Sequence, residues 1–183
     1  MRCILHIGTE KTGTTALQTA LSSQRKYLSS NGVFYAQFPG DLNCRSLAAA
    51  FTPLENRDDY KLKWGLIEPE KFTDWRQKLL GEIRNEITTA KASCHTYILS
   101  SEHFSSKIIR EADVADLAEY LRTEFEDIRV VCYLRRQDLM ATSRINEGLR
   151  VGFPQRLFPN VSNDGALPPL YAYQPLIKRW AVA

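Results

Sequence analysis

Cys3-Ile4-Leu5-His6-Ile7-Gly8-Thr9-Glu10-Lys11-Thr12-Gly13-Thr14-Thr15-Ala16-Leu17-Gln18-Thr19-Ala20-Leu21 is the stretch whose reading decides the fold. Its first five residues form an apolar, β-prone run too short for a helix and stopped by Gly8, which suits a strand buried on both faces. Gly8 to Thr15 then supplies two glycines, a lysine and four hydroxyls. Ala16, Leu17, Ala20 and Leu21 carry on as the apolar positions of a helix. Strand, glycine loop and helix start together make an anion seat. Glycines let backbone N–H groups turn inward, next to the unpaired N–H groups and the positive dipole end of the first helical turn.

The spacing of Gly8 and Gly13 matches the nucleotide-triphosphate loop G-x-x-x-x-G-K-[ST], with one departure. Thr14 stands where that loop has its lysine, and the lysine lies inside the loop as Lys11. The hydroxyl that would bind magnesium, next after the lysine, is thereby undefined. The loop suits a phosphate-like anion better than a metal-chelated triphosphate.

The 183 residues, 44% hydrophobic and 25% charged, read as one globular domain. A net charge of +3 with no dense Lys/Arg run argues against a nucleic-acid partner. Cys3, Cys44, Cys94 and Cys132 are scattered without C-x-x-C spacing, so neither a zinc site nor a disulfide framework is expected, and no metal. No apolar run approaches the roughly 20 residues of a membrane span. The first strand runs straight into the loop and leaves no removable signal peptide, so the expected compartment is reducing and cytoplasmic. These patterns do not specify an oligomeric state.

After the first helix, Asn31-Gly32 reads as a stop and Val33-Phe34-Tyr35 as a second strand. A mixed stretch follows, with a short helix around Leu47 to Phe51 and an exposed loop at Arg57 to Lys61. Pro69 fits the first turn of a long helix whose apolar stripe is Phe72, Trp75, Leu79, Leu80, Ile83 and Ile87. His95 to Ser100 is a third strand, Val114 to Phe125 a helix, and Ile128 to Leu134 a fourth strand. Strands alternating with helices predict an α/β fold: a three-layer, mostly parallel sheet flanked by helices, of the P-loop NTPase-like kind. Ligands collect at the strands' C-terminal ends, where the loop after Ile7, Ser101-Glu102-His103 and Arg135-Arg136 all fall. His6 and His95 lie on strands and read as core or edge residues.

The fourth strand ends in arginines, where a triphosphatase usually has an aspartate for magnesium. Asp138 can cap the next helix, Leu139 to Arg150, and Ser143 falls eight residues after Arg135, a little over one turn inside it. Arg135 offers a planar fork and Ser143 a hydroxyl, a pair suited to a second phosphate; taken alone, they read rather as a solvated strand end and a neutral helix residue.

Lys11-Thr12-Gly13-Thr14-Thr15 together with Arg135 and Ser143 resembles the sulfotransferase family, and Ile7 to Thr15 looks most like its bacterial and carbohydrate-type branches. The resemblance covers about Arg2 to Arg150, with specificity in the two motifs. It implies that the loop embraces the 5′-phosphosulfate of 3′-phosphoadenosine-5′-phosphosulfate (PAPS), with Lys11, Thr12, Gly13, Thr14 and Thr15 as binding residues. Arg135 and Ser143 would hold the 3′-phosphate. Lys11 would also stabilise the charge on the leaving oxygen, and Glu102 would be the catalytic base, with His103 as its rival. The implied activity is transfer of a sulfuryl group to a hydroxyl or amine of a small-molecule or carbohydrate acceptor, without a metal. The other readings are a P-loop kinase or hydrolase, and a non-catalytic nucleotide-binding protein. No counterpart of the family's glycine- and lysine-rich adenosine segment is visible. Residues 1–183 would be one sulfotransferase-like domain, cut short at the C-terminus after an amphipathic helix from Tyr173.

Overall fold

The computed structural model describes residues 1–37, 42–56, 58–152 and 167–181. Strands β1 (Arg2–His6), β2 (Val33–Tyr35), β3 (Thr96–Ser100) and β4 (Asp127–Val131) form one sheet in the order β2-β3-β1-β4, with every pairing parallel. β1 and β3 are central, as their apolar runs require, and Cys3, Leu5, Tyr97 and Leu99 are buried. Helices α1 (Thr14–Ser23), α2 (Arg25–Ser30), α3 (Arg45–Ala50), α4 (Asp59–Lys63), α5 (Pro69–Lys91), α6 (His103–Lys107), α7 (Glu111–Glu124), α8 (Gln137–Arg150) and α9 (Tyr173–Trp180) flank the sheet. This is the parallel α/β arrangement expected, consistent with three layers.

The strand order itself locates the crevice. The chain leaves β1 toward β2 on one side and leaves β3 toward β4 on the other. These neighbouring strands therefore send their connections in opposite directions, and a ligand crevice opens at such a switch point. Under the right-handed crossover rule the two connections lie on opposite faces. On the face of α5 and α7, Arg84 pairs with Glu124 at 2.7 Å and the Tyr120 hydroxyl donates to the Leu80 carbonyl. Leu79, Ile83 and Ile87 of the predicted stripe are buried there, with Phe72, Trp75 and Leu80 partly so.

Four expectations need correction. Arg57 lies outside the described residues, and the rest of the Arg57 to Lys61 segment is no exposed loop: Asp59–Lys63 is helical under an Asp58 cap. Lys61 is fully buried, donating from Nζ to the carbonyls of Thr52 and Pro53 at 3.0 and 2.5 Å, which meets the hydrogen-bonding demand of a buried ammonium. Asp138 is not the cap of α8. Arg136 takes that position, and the Asp138 carboxylate is held in the first turn by Nε and Nη2 of the Arg136 guanidinium, which pushes its pKa down to about 2. The fourth strand ends at Val131 and lies at the sheet edge, with Tyr133 and Leu134 exposed. Ala16 and Ala20 of α1 are exposed while Thr14 and Gln18 are buried, because that helix turns polar groups toward the end of β3.

Candidate active site

The loop after β1 is built by two left-handed turns. Lys11 has φ 61° and Gly13, two residues on, has φ 87°, and a loop whose backbone passes in and out of the left-handed conformation directs N–H groups into a concavity. At Lys11, which has a Cβ, this conformation costs about 1–3 kcal/mol and must be held by its surroundings. Several bonds hold it. Thr9 N–H donates to the Tyr133 carbonyl at 2.9 Å, Tyr133 N–H to the Gly8 carbonyl at 2.6 Å, and the Thr12 hydroxyl to the Thr9 carbonyl at 2.6 Å. Arg135 Nη1 donates to the Lys11 carbonyl at 2.8 Å, tying the second motif to the first. The Tyr173 hydroxyl in turn holds the Arg135 carbonyl at 2.5 Å, so α9 supports this contact.

Gly8 serves a different need. A Cβ there would stand 2.8 Å from the Glu102 Cα and 3.0 Å from its Cβ, so glycine is what lets the loop lie against the end of β3. Gly13 caps α1 without a side chain to occupy the first-turn N–H groups, and a Cβ there would meet nothing within 4 Å. The space in front of the helix is open.

One cavity of about 420 Å³ is lined by Glu10, Lys11, Gly13, Thr14, Thr15, Glu102, His103, Arg135, Ser143 and Glu147. Six of the sequence candidates besides Lys11 therefore share its wall: Gly13, Thr14, Thr15, Glu102, Arg135 and Ser143. Thr12 does not; its hydroxyl is engaged inside the loop. Both rivals for the base are present. His103 Nε2 is 4.0 Å from Glu102 Oε1, and His103 Nδ1 is buried without a hydrogen-bond partner. Burial pulls the His103 imidazole below the ordinary histidine range, against the opposing pull of Glu102, and Arg45 lowers it further.

Three features were not read from the sequence. Lys11 Nζ pairs with Glu147 Oε1 at 2.9 Å, and Arg144 Nη1 with Glu10 Oε2 at 2.9 Å, so two ion pairs strap α8 onto the loop. Ser143, Arg144 and Glu147 fall on one helical face, and their charges are complementary to Glu10-Lys11; given Ser143 in the site, that pattern was a usable signal. The third is Gln18, whose amide Nε2 donates to Glu102 Oε2 at 3.1 Å. A glutamine within a helix gives no such signal.

Among the described residues no group of three His, Cys, Asp or Glu is placed to hold a metal ion, and no helix is long and apolar enough to cross a membrane. No protein-family model, curated protein or solved structure matches this chain.

Proposed function

We propose that the chain is a PAPS-dependent sulfotransferase on a P-loop-like sheet, transferring a sulfuryl group to a hydroxyl or amine of a small-molecule or carbohydrate acceptor. The observation that carries the reading is the meeting of Lys11, the uncapped first turn Gly13-Thr14-Thr15, Arg135 and Ser143 on one cavity wall, with Arg135 bonded to the Lys11 carbonyl. Two cationic side chains and a helix N-terminus in one cleft suit a ligand with two separate anionic groups. The bond from Arg135 goes to a neutral carbonyl and leaves its charge in place.

In this reading the first-turn N–H groups and Lys11 seat the phosphosulfate, and Arg135 with Ser143 receives the 3′-phosphate. The acceptor oxygen bonds to sulfur as the sulfur–oxygen bond to the phosphate breaks and its electron pair goes to the phosphate oxygen. Lys11 stabilises the charge that develops there, and Glu102 takes the acceptor's proton. Glu147 must first release Lys11.

The deciding experiment is thermal unfolding with adenosine 3′,5′-bisphosphate in the absence of magnesium. A ligand selective for the native state adds about 2.7 kcal/mol at a hundredfold excess over Kd, so the melting temperature should rise. An unmoved melting temperature, or a larger rise with magnesium and ATP, overturns the reading.

A further inference from the structure

Behind the candidate base lies a buried polar chain. Gln18 is 1% exposed, and its Nε2 lies 3.1 Å from Glu102 Oε2 and 3.3 Å from Ser100 Oγ. Ser100 is fully buried, and its Oγ lies 2.8 Å from His6 Nδ1. Four residues from β1, α1, the end of β3 and the turn after it thus form one hydrogen-bonded line that stops at a cavity carboxylate.

The proton count orients the Gln18 amide. The Gln18 amide has two N–H protons, and the two acceptors within reach are Ser100 Oγ and Glu102 Oε2. Turning the amide over would set its oxygen against a carboxylate oxygen. Ser100 Oγ, accepting one of these protons, is held between the Gln18 amide and His6 Nδ1. Burial, the leading cause, lowers the His6 pKa and so favours the neutral ring, although Glu102 opposes it. His6 Nε2 is itself buried without a hydrogen-bond partner, so the ring is committed to Ser100 through Nδ1.

We infer that Gln18 is a positioning residue for Glu102: its amide holds Oε2, leaves Oε1 to accept the proton, and is itself oriented by Ser100 and His6. The inference rests on the sulfuryl-transfer reading for its chemical consequence. A neutral donor is suited to the task because it fixes the carboxylate without cancelling its charge, as a lysine or arginine would. Gln18 also lies four residues after Thr14, on the same buried side of α1. The helix whose first turn would seat the phosphosulfate therefore also carries the group that aims the base, which links donor and base in one rigid element.

The test pairs Gln18→Met, which keeps length and flexibility but cannot donate, with the wild type. Turnover of PAPS against a panel of sugars, amines and phenols should fall about 10- to 100-fold, while the Kd for adenosine 3′,5′-bisphosphate stays within about twofold. The acid limb of the turnover profile should move to higher pH, because a donor to the charged carboxylate has been removed. A loss through misfolding would not produce that movement at retained nucleotide affinity. In wild-type chain, the Gln18 side-chain amide resonances should shift together with the Glu102 Cδ resonance through one pH titration, a measurement that needs neither a variant nor an acceptor. Failure of wild type to bind the bisphosphate sinks the sulfuryl-transfer reading. Amide resonances that ignore the Glu102 titration, or a variant with unaltered turnover and pH profile, sink the role of Gln18 and leave that reading standing.

Discussion

The ammonium of Lys11 is 2.9 Å from a carboxylate oxygen of Glu147, so the cation that the proposed function assigns to the ligand is already paired across the mouth of the cavity. Glu147 is 58% exposed and Lys11 22%, which limits this pair to the range of solvent-screened bridges, about 0.2–1 kcal/mol. Glu147→Gln should therefore tighten adenosine 3′,5′-bisphosphate binding by roughly 1.4- to 5-fold at low salt, with the gain shrinking as ionic strength rises. Calorimetry at two salt concentrations checks it. Weaker binding in the variant would mean that the carboxylate helps to hold the nucleotide.

Arg135 donates to the Lys11 carbonyl, and in the proposed function it also receives the 3′-phosphate. Arg135→Ala and Lys11→Ala should each weaken bisphosphate binding, but their effects should not add. A double-mutant cycle is expected to give a coupling of about 0.5–3 kcal/mol, as for residues in one network. Additivity within error would show that Arg135 does not shape the loop.

The two glycines of the loop predict different costs. Gly13→Ala meets open space and suffers only the left-handed backbone at φ 87°, whereas Gly8→Ala also drives a methyl to 2.8 Å from the Glu102 Cα. Each backbone penalty is about 1–3 kcal/mol, so Gly8→Ala should show the lower melting temperature. Equal melting temperatures would mean that the end of β3 yields freely.

Burial lowers the pKa of His6 and of His103 from 6.5, so the folded chain prefers both rings neutral. As pH falls below 6.5 the unfolded chain takes up these protons first, and stability is lost until the folded rings protonate as well. The lowered carboxylates Asp59, Asp127 and Asp138 act only in the more acidic window below their ordinary 3.8. His6→Asn, which still offers Ser100 a hydrogen-bonding group but cannot titrate, should flatten the fall in melting temperature between those two windows. A wild-type slope retained in the variant would place the effect elsewhere.

The sequence by itself determined the strand, loop and helix start at the N-terminus, the alternation that makes a parallel sheet, and the placing of the loop with Lys11, of Glu102 and of Arg135 at the C-terminal ends of strands. Each depends on residues a few positions apart, or on the rule that parallel strands present their C-terminal ends together, and both can be read along a chain. The tertiary structure alone decided that β4 lies at the edge, that Lys61 is buried under two carbonyls, that Gln18 reaches Glu102, and that Glu147 pairs with Lys11. In each of these cases a polar or charged side chain, or a whole strand, takes its state from a partner distant in the chain or brought close by a turn. Hydrophobic period reports which face of an element is apolar; it does not report which polar group will stand opposite, because that depends on how the packed elements close around one another.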